Sequence, residues 1–184
     1  MSLSELPEKL SVPVDDGAAS HLLGTMLPNL TLNATNGDLV TLDAVGGFLV
    51  IYIYPMTGRP DIPSPDGWEE IPGATGCTPQ SCSFRDHYGE LQAFQAKLYG
   101  LSSQTTDYQS EAKERLHLPF ELLSDASLAL KSALSLPTFK AAGMEFYKRL
   151  TLVAKDNKIV KVFYPVYPPD KNIDKVLSWF QGNT

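Results

Sequence analysis

Cysteine is scarce in this chain: 184 residues hold two. Two thiols cannot staple a disulfide scaffold, so the fold must rest on a hydrophobic core, which this length allows. Long apolar runs are missing as well. None approaches the roughly 20 residues that would span a bilayer, which argues against a membrane partner. Positive charge is not in excess either. Fifteen Lys and Arg face 21 Asp and Glu, a formal net charge of −6, and that balance disfavours nucleic acid and anionic surfaces. The opening MSLSELPEKLSVPVDDGAAS lacks a basic segment followed by an apolar one, so no signal peptide is expected. The expected compartment is a reducing cytoplasm, where a close cysteine pair points to catalysis, redox sensing or a metal rather than a structural bridge.

No internal repeat or low-complexity tract interrupts the chain. Residues 1–20 are polar and small and read as an irregular arm, leaving 21–184 for a single domain. LTLNATNGDLVTL (30–42) alternates around Asn36-Gly37, a hairpin signal. FLVIYIYP (48–55) is a continuous β-branched and aromatic run, expected as a strand buried on both faces and ended by Pro55. Residues 56–76 carry four prolines and four glycines and read as loop. A helix follows, with Thr78 as N-cap and Pro79 at its first position. Phe84, Tyr88, Leu91, Phe94 and Leu98 recur at three and four along it. Beyond lie a short strand near 98–103, with Gly100 ending the helix or beginning the strand, a helix over 107–117 and a strand within 118–125. A helix over 126–135, a hairpin at 149–165 turning at Asp156-Asn157 and a helix over 172–181 complete the series. This alternation predicts an α/β sandwich with a mixed central sheet flanked by helices, an N-terminal hairpin and an insertion before the cysteine-bearing helix.

Both cysteines, Cys77 and Cys82, fall in IPGATGCTPQSCSFRD (71–86). Cys77 stands where a helix begins, and the unpaired N–H groups and dipole of a helix start favour thiolate. It also follows the carboxyl end of a central strand, the edge where open α/β sheets bind ligands. Cys82 lies five residues on, about 7.5 Å in rise and roughly 140° around the helix. A disulfide needs Cα atoms within about 6.8 Å, so the pair can bond only if the helix start unwinds. That geometry describes a cycle: Cys77 is oxidised, the first turn melts, and Cys82 condenses with the sulfenic acid. Three other readings stand beside it. The thiols could be inert packing residues. A metal site with His87 has poor zinc spacing. A thioredoxin-type reductase would have C-x-x-C rather than C-x4-C, and LPTF (136–139) lies well before the hairpin it should abut.

GCTPQSCSFRDHYGEL resembles the active-site segment of atypical two-cysteine peroxiredoxins of the bacterioferritin-comigratory-protein (PrxQ) type. There a Gly-Cys-Thr-x-Gln/Glu-x-Cys-x-Phe-Arg-Asp run is typical. LGTMLPNLTLNATNGDLVTL, FLVIYIYP, LPFELLSD and KRLTLVAKDNKIVKVF resemble other parts of the same family, so the likeness covers most of residues 23–181. It implies a thioredoxin-like fold and a thiol peroxidase without metal or haem. By the same resemblance Cys77 is the peroxidatic cysteine and Cys82 the resolving one. Arg149 is the residue that holds the thiolate and polarises the peroxide; without the likeness it would read as a solvated charge at a strand start. The implied partners are a small peroxide and a dithiol reductant, thioredoxin or glutaredoxin. An intramolecular resolving cysteine removes the need for a dimer, so a monomer or weak homodimer is expected.

One departure matters. The family's Pro-x-x-x-Thr-x-x-Cys motif puts threonine three residues before the cysteine, and here that residue is Ala74. Pro55 would be the motif's proline, with TGRPDIPSPDGWEEI inserted after it. Either Thr75 or Thr57 supplies the hydroxyl by another path, or the backbone N–H groups of Gly76 and Cys77 carry the load. The insertion, with Trp68, is either a flap controlling access or a decorated surface loop. Arg85 and Asp86 are expected to pair, His87 and His117 to be surface residues, and YPVYPP (164–169) to cover the sheet edge. The rival to the peroxidase is a peroxide-responsive sensor that uses the same switch with little turnover. A third possibility is a degenerate site on a structural domain.

Overall fold

The computed structural model describes Leu6 and residues 10–184. The arm expected over 1–20 therefore falls partly outside the described residues; from Leu10 to Asp16 the chain is neither helix nor strand. The Asn36-Gly37 turn joins β1 (Thr31–Ala34) to β2 (Leu39–Thr41), with Gly37 at φ 87°. The continuous apolar run becomes β3 (Phe48–Ile53). It pairs in parallel with β4 (Lys97–Ser102) and antiparallel with β8 (Leu150–Lys155). β5 (Glu121–Ser124) joins β4 in parallel and β1 antiparallel, while β9 (Lys158–Phe163) closes the other edge. The sheet order is β2-β1-β5-β4-β3-β8-β9, a mixed sheet as the alternation predicts.

β3 is buried on both faces because helices cover both. Leu49, Ile51 and Ile53 face one core with Leu130 and Leu134 of α4 (Ala129–Leu134). Val50, Tyr52 and Tyr54 face the other. There they meet Phe84 of α1 (Cys77–Asp86), Leu91 of α2 (Tyr88–Ala93), Leu116 of α3 (Thr106–Leu116) and Phe180 of α5 (Asn172–Asn183). Strand alternation thus directs Tyr52, and Tyr54 just past the end of β3, toward the core face that also holds the helix carrying both cysteines. No helix among the described residues is long and apolar enough to cross a membrane.

Three local expectations need correction, and one element was not foreseen. α1 is capped by Gly76 at φ 97°, not by Thr78, which is buried inside the first turn with Pro79. The helix does not run through to Leu98. It breaks at His87 (φ −109°, ψ 11°), resumes as α2, and Leu98 sits in β4 opposite Val50; the three-four spacing persists although the backbone has changed. Gly100 lies within β4, where a Cβ would come within 2.6 Å of both Tyr52 and Leu122. Finally, LPTF opens a hairpin of its own, β6 (Thr138–Ala141) and β7 (Met144–Tyr147). Its Ala142-Gly143 turn lacks the Asn or Asp that advertises such a hairpin.

Candidate active site

Cys77 is the first residue of α1 and is 2% exposed. The positive φ of Gly76 swings the chain into the helix, and a side chain there would collide with Pro169. The first-turn N–H groups of Cys77 and Thr78 have no intrahelical partner, and Pro79 has none to offer. Sγ donates to the carbonyl of Ala74 at 3.6 Å and accepts from Nη2 of Arg149 at 3.1 Å. Those are its hydrogen-bond partners among the described residues.

Arg149 directly precedes β8 and is 3% exposed. A guanidinium buried so deeply must be held by acceptors. Nη2 donates to the carbonyls of Thr75 (2.9 Å), Gly73 (3.2 Å) and Ala74 (3.4 Å), and Nη1 donates to Oε1 of Gln80. Nε is buried without a partner among the described residues. Gln80 in turn donates through Nε2 to Oδ1 of Asn172 (3.0 Å), which also accepts from the Thr151 hydroxyl (2.6 Å). Three elements, α1, β8 and α5, thus clamp one cation against one sulfur.

Neither alternative threonine supplies a hydroxyl to Sγ among the hydrogen bonds of the described residues. Thr75 contributes its carbonyl to Arg149. Thr57 is fully buried, but its backbone N–H donates to Gln104 and its hydroxyl lies 3.4 Å from the same Oε1. Pro55 is buried directly after Tyr54. Trp68 is 5% exposed and packs at 4.9 Å on Phe146 and 5.7 Å on Phe139, forming a small core with Ala74. The insertion is therefore anchored by its tryptophan to the β6–β7 hairpin, and the methyl of Ala74 belongs to that core.

Cys82, half-buried in the second turn of α1, is also a free thiol. Burial pushes its pKa up, with nearby Arg85 opposing. Arg85 pairs with Asp86 at 2.8 Å and reaches the Leu116 carbonyl, as a bracing pair would. His87 sits at the α1–α2 break beside Glu90, and His117 ends α3. Two tyrosines lie behind the sulfur. Tyr52 donates to Ser81 at 3.0 Å. The Tyr54 hydroxyl is fully buried near Ser102 and Gln109, and burial holds it well above the ordinary phenol range.

The expectation for YPVYPP is corrected: it lies at the site, not merely over the sheet edge. Phe163 pairs with Thr151, so the chain leaving β9 emerges beside the Arg149 end of β8. Tyr164, Pro165 and Val166 there line a cavity of about 370 Å³ together with Arg149 and Gly73. Reading the residues alone passed over Gln80, Thr151, Asn172 and Tyr54. The signal for Gln80 was its helical position one turn from Cys77, and for Thr151 its two-residue spacing from Arg149.

Residues 22–177 match the Redoxin family. The chain is 29% identical over 161 residues to the chloroplastic peroxiredoxin Q of Suaeda salsa, covering 86% of this chain and 67% of that protein. It is 31% identical over 123 residues to peroxiredoxin bcp1 of Schizosaccharomyces pombe, covering 65% of this chain and 55% of that one. It thus spans about two thirds of the length of the chloroplastic relatives and about half that of bcp1. The crystal structure of peroxidoxin BcpB from Mycobacterium tuberculosis matches it with a TM-score of 0.72 at 23% identity, over 88% of this chain and 97% of that chain. The shared architecture is the thioredoxin-like α/β fold.

Proposed function

The chain belongs to the Redoxin family, and we propose that it is a thiol peroxidase of the peroxiredoxin Q and bacterioferritin-comigratory-protein type, working through Cys77, Cys82 and Arg149. The observation that carries this reading is the 3.1 Å contact between Arg149 and the Cys77 sulfur at the start of α1. A guanidinium there stabilises negative charge on sulfur and on the oxygen that leaves. The Cys77 thiolate attacks the terminal oxygen of ROOH. An S–O bond forms, the O–O bond breaks, and the departing oxygen takes a proton as ROH. Cys77 is then a sulfenic acid. The Cys82 thiol attacks that sulfur, water leaves and a disulfide forms, which requires the first turn or more of α1 to unwind.

A dithiol protein of the thioredoxin or glutaredoxin type returns both sulfurs to thiols. Both cysteines sit on one chain, so a monomer or weak homodimer completes the cycle, and a reducing cytoplasm supplies the reductant. Ala74 leaves the usual hydroxyl out; backbone N–H groups at the start of α1 and Arg149 take over the polarisation of the peroxide.

Steady-state peroxide consumption with thioredoxin, thioredoxin reductase and NADPH tests the proposal. Many turnovers that vanish in Cys77→Ser and collapse in Cys82→Ser are expected. Full activity in Cys77→Ser overturns the site. A parent that forms its disulfide once and does not turn over with either thioredoxin or glutaredoxin is a sensor rather than a peroxidase.

A further inference from the structure

The N-terminal arm lies over the segment that must move if Cys82 is to reach Cys77. It is fastened at Asp16, whose carboxylate accepts from Lys148 Nζ and from the Tyr164 hydroxyl, each at 2.7 Å. Traced back from there, it follows the approach to α1 step by step. Pro13 lies 3.5 Å from where a Cβ would stand on Gly73. Leu10 and Ser11 close against Thr75, Arg149 and Pro169 in a crevice too small for water. Leu6 reaches furthest. Its Cδ2 lies 3.0 Å from where a Cβ would stand on Gly76, and it lines the cleft that holds Pro79 and Cys82. The loop into α1 is thus held twice, by Arg149 through the carbonyls of Gly73, Ala74 and Thr75 and by the arm laid along it.

We propose that the arm is a latch on the resolving step, with Leu6 and Asp16 as its positioning residues; the inference rests on the two-cysteine peroxidase reading. Leu6 touches the hinge at Gly76 and borders Cys82, so it stands at the gap the two sulfurs must close. With the arm down, the first turn of α1 keeps Cys77 against Arg149. The unwinding that brings the sulfurs within bonding reach breaks the Leu6 and Leu10 contacts and lifts the arm. The arm has no such hold on the first oxidation, because Cys77 reacts from the folded turn.

A latch on that step decides between two fates of the sulfenic acid. Cys82 can attack its sulfur, expelling water and forming the disulfide. Alternatively the sulfenate attacks a second hydroperoxide: another S–O bond forms, the O–O bond breaks, the departing oxygen takes a proton as ROH, and Cys77 ends as sulfinic acid. Holding the turn wound delays the first fate and leaves the second untouched. The arm therefore helps to set the peroxide concentration at which Cys77 is lost to overoxidation.

Rapid-quench mass spectrometry after mixing with hydrogen peroxide separates thiol, sulfenic acid, disulfide and sulfinic acid in the parent, Leu6→Ser and Asp16→Ala. Leu6 is half-buried and Asp16 exposed, so neither change enters the core. Disulfide formation from the sulfenic acid should be about fivefold faster in each variant, equivalent to about 1 kcal/mol of barrier. The first oxidation should stay within twofold of the parental rate, and the sulfinic acid formed per turnover at high peroxide should fall about fivefold. Ile159→Val, a change in the core on the other face of the sheet, controls for general softening and should leave disulfide formation unchanged. A parental rate of disulfide formation in either arm variant, or an equal acceleration in the control, overturns the latch. Thermolysin cleavage gives a second reading in the parent: an arm cut several-fold faster in the disulfide form than in the reduced form supports the latch, and equal rates refute it. A parent that forms no disulfide between Cys77 and Cys82 defeats the two-cysteine reading, and the latch with it.

Discussion

Gln80 is fully buried and joins Arg149 to Asn172, so replacing it tests whether the cation is positioned by this network. Gln80→Met keeps length and volume but deletes both hydrogen bonds. Asn172 Oδ1 retains Thr151, whereas Arg149 Nη1 is left charged, buried and without its side-chain acceptor. A lost hydrogen bond to a charged group is worth about 1.5–3 kcal/mol and a neutral one about 1 kcal/mol. The expected loss is therefore about 3 kcal/mol, which in a domain of this size lowers Tm by roughly 6–12 °C. Arg149 keeps its carbonyl partners, so the sulfur contact is loosened rather than removed. The rate of Cys77 oxidation should fall about tenfold, equivalent to about 1.4 kcal/mol of barrier. Circular-dichroism melting of the reduced protein reads the first quantity and stopped-flow oxidation by peroxide the second. Gln80→Glu restores an acceptor and should recover most of the rate. A methionine variant that melts within 2 °C of the parent and reacts at the parental rate refutes the reasoning: the loop carbonyls alone would then hold Arg149.

Trp68→Ala removes the indole packed on Phe146 and Phe139 and should cost about 3–5 kcal/mol in urea unfolding; a loss below about 1 kcal/mol would return the insertion to the status of surface decoration. Ala74→Thr introduces the family's hydroxyl into a fully buried position beside Trp68 and Phe146, and overpacking should lower stability by about 1–3 kcal/mol. An unchanged denaturation midpoint would show that room already exists there. Burial raises the Cys82 thiol above its ordinary 9.0, so its iodoacetamide alkylation in Cys77→Ser should keep rising beyond pH 9, and a midpoint at or below 9 contradicts the burial. Burial likewise raises the Tyr52 phenol above its ordinary 10.0. A raised folded-state pKa contributes stability that is complete below the unfolded value and is lost as pH climbs past it. Tm should therefore drop above pH 10, and less steeply in Tyr52→Phe, an expectation that parallel melting curves for the two proteins can defeat.

What was legible in the residues was whatever depends on a short window. β3 announced itself because a strand covered on both faces has no polar positions to interrupt its β-branched run, and Asn36-Gly37 and Asp156-Asn157 because the positive φ angles at Gly37, Asp156 and Asn157 suit few other residues. Cys77 could be placed at a helix start from its neighbours alone, although the cap proved to be the glycine behind it rather than the threonine ahead. Arg149 needed a resemblance, since nothing near it in sequence distinguishes a clamped guanidinium from a solvated one. Gln80 and Thr151 carried only the weak signal of their spacing from Cys77 and Arg149, and Asn172 none, because the bonds that give them meaning span 69, 21 and 92 residues. The arm is the extreme case. Residues 10–16 read as polar and irregular; they hold no helix or strand, but Leu10, Val12, Pro13 and Val14 are apolar, and the Asp16–Lys148 bond, which crosses 132 residues, fastens an arm whose Leu10 and Ser11 lie against Arg149. A segment with no secondary structure of its own can still be held against a site, because its two hydrogen bonds go to Lys148 and Tyr164 of the folded body, and no short window of sequence shows that.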